Sequence, residues 1–265
     1  MSVAPIDWDL VRTHLDHAAT AVATRLRQIP DGSTKVPGLE WSASDLGAHL
    51  VTEARRFERF GKGGGDPFPA DGGVADYNTN EIAEIGEADL GRQADMFEMD
   101  HAVFADHARQ RSGSDPFTWF DLPISWAEAG CIYLGELAIH ALDLARVMRR
   151  SYKIDRDAAI QISYGLLSII PSYVDKQAAH GFTGKFQLRL RGAVPVNLAF
   201  DDGKLTASLA NGERADCKIS ADPEAFLLVG YGRISQWGPI LRGKIIASGR
   251  KPWLGLKFSR LLLNP

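Results

Sequence analysis

Apolar side chains recur at helical spacing through the first 150 residues and at every second position further on. That change of period limits the chain to a helical module followed by a mixed one. Residues 6–28 place Leu10, Val11, Leu15, Ala18, Val22 and Leu26 on one stripe, and Pro30, Asp31 and Gly32 end the helix. A second helix follows Ser42, a good N-cap with Asp45 three residues on in the capping-box position. Leu46, His49, Leu50, Glu53 and Phe57 share one of its faces. A shorter helix starts near Asp76 and pauses at Gly86, and residues 87–110 make the third long helix. Residues 111–124, rich in Pro, Gly and aromatics, read as a loop. The fourth long helix runs over residues 125–150 and is basic at its C-terminal end, as the helix dipole favours. Four long helices predict a four-helix bundle over residues 1–150.

Residues 151–265 differ. One more helix, "AAIQISYGLLSIIPSYV", precedes a half-buried strand in which Phe186, Leu188 and Leu190 alternate with Lys185, Gln187, Arg189 and Arg191. Asp202-Gly203 and Asn211-Gly212 are hairpin signals. Asp222 caps a short helix with Pro223 at its first position, and "GKIIASG" is a further strand before a basic tail. The expectation is a small antiparallel sheet with helices, making the chain α+β with two domains, 1–150 and 151–265.

Net charge is −3, but residues 181–265 carry 13 basic and 6 acidic side chains, and the final 35 residues carry seven basic and no acidic ones. A solvated basic face explains this without nucleic acid, and the tail is a candidate for peripheral membrane contact. No apolar run approaches the roughly 18 residues of a spanning helix. "MSVAPIDWDL" lacks the basic-then-apolar pattern of a leader, so the cytoplasm is the expected location. Cys131 and Cys217 alone build no disulfide framework, and no Cys-x-x-Cys occurs. The glycines of "GKGGGDPFPADGG" lack the order of a phosphate loop and the strand that would precede one.

The chemistry concentrates on four polar residues in apolar stripes. His49 and Glu53 lie one turn apart on the second helix, and Glu136 and His140 one turn apart on the fourth. A buried carboxylate wants a positive partner, and a divalent ion held by imidazoles and a carboxylate from facing helices is one solution. A hydrogen-bonded Glu–His pair or a surface feature is the other. Asp143, three residues after His140, either orients that imidazole or is an exposed charge. His14 and His17 face the site or water, and His101, His107 and His180 carry weaker signals.

Two motifs carry a resemblance. "WSASDLGAHL" at 41–50 resembles the second-helix motif of DinB-like bundles, in which a tryptophan leads a capped helix to a metal-binding histidine. "GELAIHALDLA" at 135–145 resembles their last-helix motif in the Glu-x-x-x-His-x-x-Asp form of the mycothiol-dependent maleylpyruvate isomerase family. Residues 155–245 are similar to the sterol-carrier-like domain that follows the bundle in that family, although the tail "GRKPWLGLKFSRLLLNP" runs on further. The resemblance implies that His49, Glu136 and His140 bind a divalent metal, zinc foremost, with water in the remaining position. It implies catalysis with mycothiol, a thiol cofactor of actinobacteria, by an isomerase or S-transferase acting on a small electrophile. A metal lowers a thiol's pKa as it does that of water. The thiolate can then add to an activated double bond, permit rotation and leave. Nitrogen and oxygen ligands also suit nickel, iron or manganese. Gly232-Arg233 matches the family's Gly-Arg helix end, where Arg233 contacts the thiol cofactor or an acidic substrate, or else faces solvent. Two other readings stand beside the enzyme. One is a lipid or hydrophobic-ligand carrier in which Trp237, Trp253, Phe226 and the Leu-rich tail line a cavity or meet a membrane rather than packing in the core. The other is a regulatory bundle without catalysis.

Overall fold

The computed structural model describes residues 4–69 and 73–263 of the chain. They divide into two compact units, residues 7–154 and residues 155–263 together with 4–6.

The first unit is helical. Helices α1 (Trp8–Gln28), α2 (Ala43–Gly61), α4 (Leu90–Arg109) and α5 (Trp126–Val147) form the bundle, with α1 and α2 each packing on α4 and α5. Local chemistry fixes their starts. Asp7 accepts from the Leu10 N–H, and full capping boxes begin α2 (Ser42 with Asp45) and α5 (Ser125 with Glu128). Helices α2 and α5 run antiparallel. At one end Gly61 lies so close to Trp126 that an added Cβ would stand 2.8 Å from the ring, and at the other His49 meets His140. Between these ends Tyr133 stacks on Phe57 at 4.7 Å and meets Phe104 edge-on at 5.0 Å. The short helix α3 (Val74–Ile85) buries no side chain of its own.

Residues 111–124 were expected as a loop, but part of them forms a hairpin, β1 (Pro116–Trp119) with β2 (Leu122–Ser125). Its turn places Phe120 at φ 53°, which lets Phe117, Trp119 and Phe120 all bury their rings. That burial outweighs the turn-forming composition of the segment.

The second unit begins with α6 (Arg156–Ile169), which Pro171 converts into a 3-10 turn (Ile170–Tyr173). Strands β3 (Gly184–Leu190), β4 (Val196–Asp201), β5 (Lys204–Leu209), β6 (Cys217–Ala221) and β7 (Ile245–Ser248) form one sheet in the order β5-β4-β3-β6-β7. The Asp202-Gly203 turn takes positive φ at both residues and joins β4 to β5, as the sequence predicts. Asn211-Gly212 does not make a hairpin. The chain instead crosses to the far side of β3, where β6 pairs with it in parallel, so the sheet is mixed and not antiparallel. A hairpin signal specifies only neighbours in sequence, and β6 takes a distant partner because Cys217, Ile219 and Ala221 extend the apolar face of Phe186, Leu188 and Leu190.

That face is covered by Ile160, Tyr164 and Leu167 of α6 and by Leu254, Phe258 and Leu261 of the tail. The tail is therefore part of the core. It contributes α9 (Gly255–Phe258), and the Leu263 N–H donates to the Tyr173 carbonyl at 2.7 Å. Helix α7 (Pro223–Gly230) is capped by Asp222 with Pro223 first, and α8 (Trp237–Leu241) follows. An apolar cavity of about 130 Å3 lies among Leu167, Ile170, Leu188, Leu198, Phe226 and Phe258. Among the described residues no helix is long and apolar enough to cross a membrane.

Candidate metal centre

The antiparallel pairing of α2 with α5 brings the first turns of one helix against the last turns of the other. The Glu136 Oε2 atom lies 3.5 Å from His140 Nε2 and 3.7 Å from His49 Nε2. One donor atom from each of the three residues falls within 4.8 Å of the other two. The imidazole rings stand 4.9 Å apart and nearly perpendicular, and the Trp41 ring packs 4.8 Å from that of His49. His49 and His140 are buried, while the Glu136 side chain is 22% exposed and forms the accessible edge of the group.

Asp143 resolves one expectation. It is fully buried, and its Oδ2 lies 3.1 Å from His140 Nδ1. The Asp143 carboxylate accepts a hydrogen bond from Nδ1–H, so Nε2 is the nitrogen that would ligate a cation once the cation displaces its proton, the arrangement usual for a ligand histidine. On the other helix, burial holds His49 neutral by lowering its pKa to about 4, against the opposing pull of Glu136. Burial also lowers His140, but Asp143 and Glu136 outweigh it and raise the imidazole to about 9. Burial works against the Glu136 carboxylate too, yet its contacts with His140 and His49 hold it below the usual carboxylate range.

The donors suit a cation. Ligands about 2.1 Å from one tetrahedral ion sit about 3.4 Å from each other, close to the separations of 3.5 and 3.7 Å seen around Glu136. Those separations are long for hydrogen bonds between the three groups. Two imidazoles and a carboxylate also form a borderline donor set fit for zinc, nickel, iron or manganese.

The remaining candidates do not join the group. Glu53 Oε1 is 3.9 Å from His49 Nε2, but the carboxylate is paired with Arg56. Burial pushes Glu53 up to about 7 even though Arg56 opposes the shift. His101 packs in the bundle with its Nδ1 3.2 Å from the Tyr133 hydroxyl. His14 and His17 meet edge-on, 6.5 Å between ring centroids, His107 lies 3.9 Å from Glu58, and His180 is exposed. In the second unit Arg233 is half-buried and donates to the Tyr231 carbonyl at 2.8 Å. Phe226 lines the apolar cavity, whereas Trp237 and Trp253 are 54% and 58% exposed and do not pack in the core. Trp41, which opens the 41–50 motif, packs on His49 as that motif implies, whereas Arg56 makes contacts beside the group that its sequence position does not single out. Arg56 sits in "EARRFER", where a run of charges reads as a solvated face.

A helical bundle with a His–Glu–His group on two facing helices, joined to a mixed α+β unit, defines a class of two-domain proteins with a candidate metal site. The chain belongs to the family described as the mycothiol maleylpyruvate isomerase N-terminal domain, whose sequence profile matches residues 11–145. A second profile, the SCP-2 sterol transfer family, matches residues 168–262. Among solved structures, the mycothiol-dependent maleylpyruvate isomerase is similar with a TM-score of 0.57 at 17% identity, over 92% of this chain and 93% of that one. A histidine-to-alanine mutant of that isomerase is similar with a TM-score of 0.57 at 16% identity, over the same shares. At such identity the likeness establishes the fold. No curated protein matches significantly.

Proposed function

We propose that the chain is a metal-dependent, mycothiol-using isomerase or S-transferase acting on a small electrophile, with His49, Glu136 and His140 holding a divalent ion, zinc foremost. The observation that carries this reading is the convergence of three donor atoms within 4.8 Å, on two facing helices, at a group with one accessible edge. A bound ion and thiol together supply a thiolate nucleophile for an electron-poor double bond. The chain's own part is to hold and orient. His49 stays neutral because it is buried, Asp143 sets the His140 tautomer, and Glu136 offsets the charge of the cation. Trp41 packs against His49 and restricts rotation of its ring. Family membership supports the thiol cofactor, and with it a cytoplasmic setting in an actinobacterium. Residues 7–154 serve as the bundle and residues 155–263 with 4–6 as the sterol-carrier-like domain, and Arg233 is the cationic contact for the cofactor or an acidic substrate.

The test is elemental analysis of the purified chain followed by a mycothiol-consumption assay across small electrophiles, maleylpyruvate included. About one zinc per chain and thiol-dependent turnover are expected. Both should vanish in His49→Ala and His140→Ala. Full metal and activity in both variants would remove the assignment.

A second reading concerns the other unit. The cavity is apolar, and the exposed Trp237, Trp253 and Leu241, the last 85% exposed, share the final 35 residues with seven basic and no acidic side chains. Exposed apolar side chains in a cationic stretch suit an anionic membrane. Sedimentation with phosphatidylglycerol-containing vesicles but not with phosphatidylcholine vesicles, reversed by salt, is the expected result. Co-purifying lipid without metal would favour the carrier function over the enzyme.

A further inference from the structure

Arg56 lies one turn beyond Glu53 on α2 and is 4% exposed. Every face of its guanidinium is engaged. Nη1 donates to Glu53 Oε1, Nη2 donates to Asn78 Oδ1 at 2.7 Å and also to Glu81, and Nε donates to Glu81 Oε2 at 3.1 Å. The guanidinium carbon stands 4.8 Å over the Tyr77 ring. The oxygen of Glu53 that Arg56 holds is the one 3.9 Å from His49 Nε2. A fourth donor, this one an oxygen, therefore stands beside the His–Glu–His group, 3% exposed, and is engaged by an ion pair instead.

This arrangement has a consequence for coordination, resting on the metal reading above. Three protein ligands leave a position for a reacting group, and a fourth closes it. A buried carboxylate with no other positive partner moves to the nearest cation, because an uncompensated buried charge costs several kcal/mol. We propose that Arg56 is a positioning residue that holds Glu53 away from the metal and thereby keeps the fourth coordination position open for the thiol. The role also explains α3. It buries no side chain, yet its Asn78, Glu81 and Tyr77 fix the guanidinium from the side away from Glu53.

The test uses the full chain loaded with Mn2+ or Co2+, counting exchangeable metal-bound water by proton relaxation and reading coordination from the Co2+ absorption bands. Arg56→Gln should lose exchangeable water, change the Co2+ bands and bind the ion at least about tenfold more tightly, since it gains a ligand. Adding Glu53→Gln to that variant should restore the water, the bands and the affinity. A purely structural arginine would not give this rescue. Glu53→Gln alone should leave metal affinity within about threefold, whereas His49→Ala, which removes a ligand, should abolish metal uptake. This single variant keeps the proposal falsifiable even where Arg56→Gln does not fold. A folded Arg56→Gln chain with wild-type hydration, or a Glu53→Gln chain that loses its ion, overturns the assignment of Arg56 while leaving the metal reading intact. Wild-type chain that takes up neither ion overturns both.

Discussion

The helical unit buries His49, Glu53, Arg56, His101, Glu128, His140 and Asp143, whereas among the described residues the buried polar side chains of the sheet unit are Gln161, Ser163 and Gln187, none of them charged. Burying an ion costs several kcal/mol unless a partner offsets it. The bundle supplies such partners pair by pair: Glu53 with Arg56, His140 with Asp143, and Glu128 with the α5 N-terminus. The sheet unit avoids the cost and encloses an apolar cavity instead. The contrast locates directed chemistry in the first unit. The second is organised by the shape and area of apolar surface.

Breaking each region should therefore give different symptoms. The largest effect belongs to the apolar core. Phe186→Ala, at a position 1% exposed, should lower unfolding stability by about 3–5 kcal/mol. Denaturant titration measures that loss, and metal uptake by the remaining folded chain should not change. A parallel loss of metal would erase the contrast. Next comes the bundle's polar support. Asp143→Asn should weaken metal binding by about 10- to 100-fold, measured by competition with a chelator, with a much smaller effect on the unfolding midpoint.

A smaller effect concerns acid stability in the sheet unit. Arg250, the backbone N–H of Lys185 and then Lys251 hold the Asp216 carboxyl at about 2, below its ordinary 3.8. A depressed carboxyl contributes stability above the ordinary value and loses it as pH falls through about 2. Asp216→Asn should flatten the fall in stability over that window and lower stability at neutral pH, as pH-dependent denaturation would show. Least of all, Ser125→Ala removes one half of the α5 capping box and should cost about 1 kcal/mol. The metal ligands lie at the far end of that helix, so metal affinity should stay as it is. A large change in affinity would mean that α5 transmits its N-terminal capping to the site.

Much of this was legible along the chain. The stripes of α1, α2, α4 and α5, the capping boxes at Ser42 and Ser125 and the start of α7 at Asp222 follow from contacts within one or two turns. Polar residues in otherwise apolar stripes marked His49, Glu136 and His140 as candidates. Arg56 was not legible, because its neighbours in sequence are also charged and its partners Asn78 and Glu81 come from another helix. Asp143 read equally as a surface charge until packing placed it at 0% exposure. The hairpin of residues 116–125 was hidden by turn-rich composition, and Asn211-Gly212 suggested a pairing that the chain does not make.

Outside the 116–125 hairpin, sequence by itself determined where the helices and strands form, which residues cap them and which faces are apolar, because those preferences depend on neighbours a few residues away. Tertiary structure alone decided that α2 and α5 run antiparallel, so that His49 meets Glu136 and His140. It alone made β6 a parallel partner of β3 and turned Arg56 inward to Glu53. These are choices between distant surfaces. They are settled by the fit of apolar area and the pairing of buried charge across the whole fold, and no local window of residues contains that information.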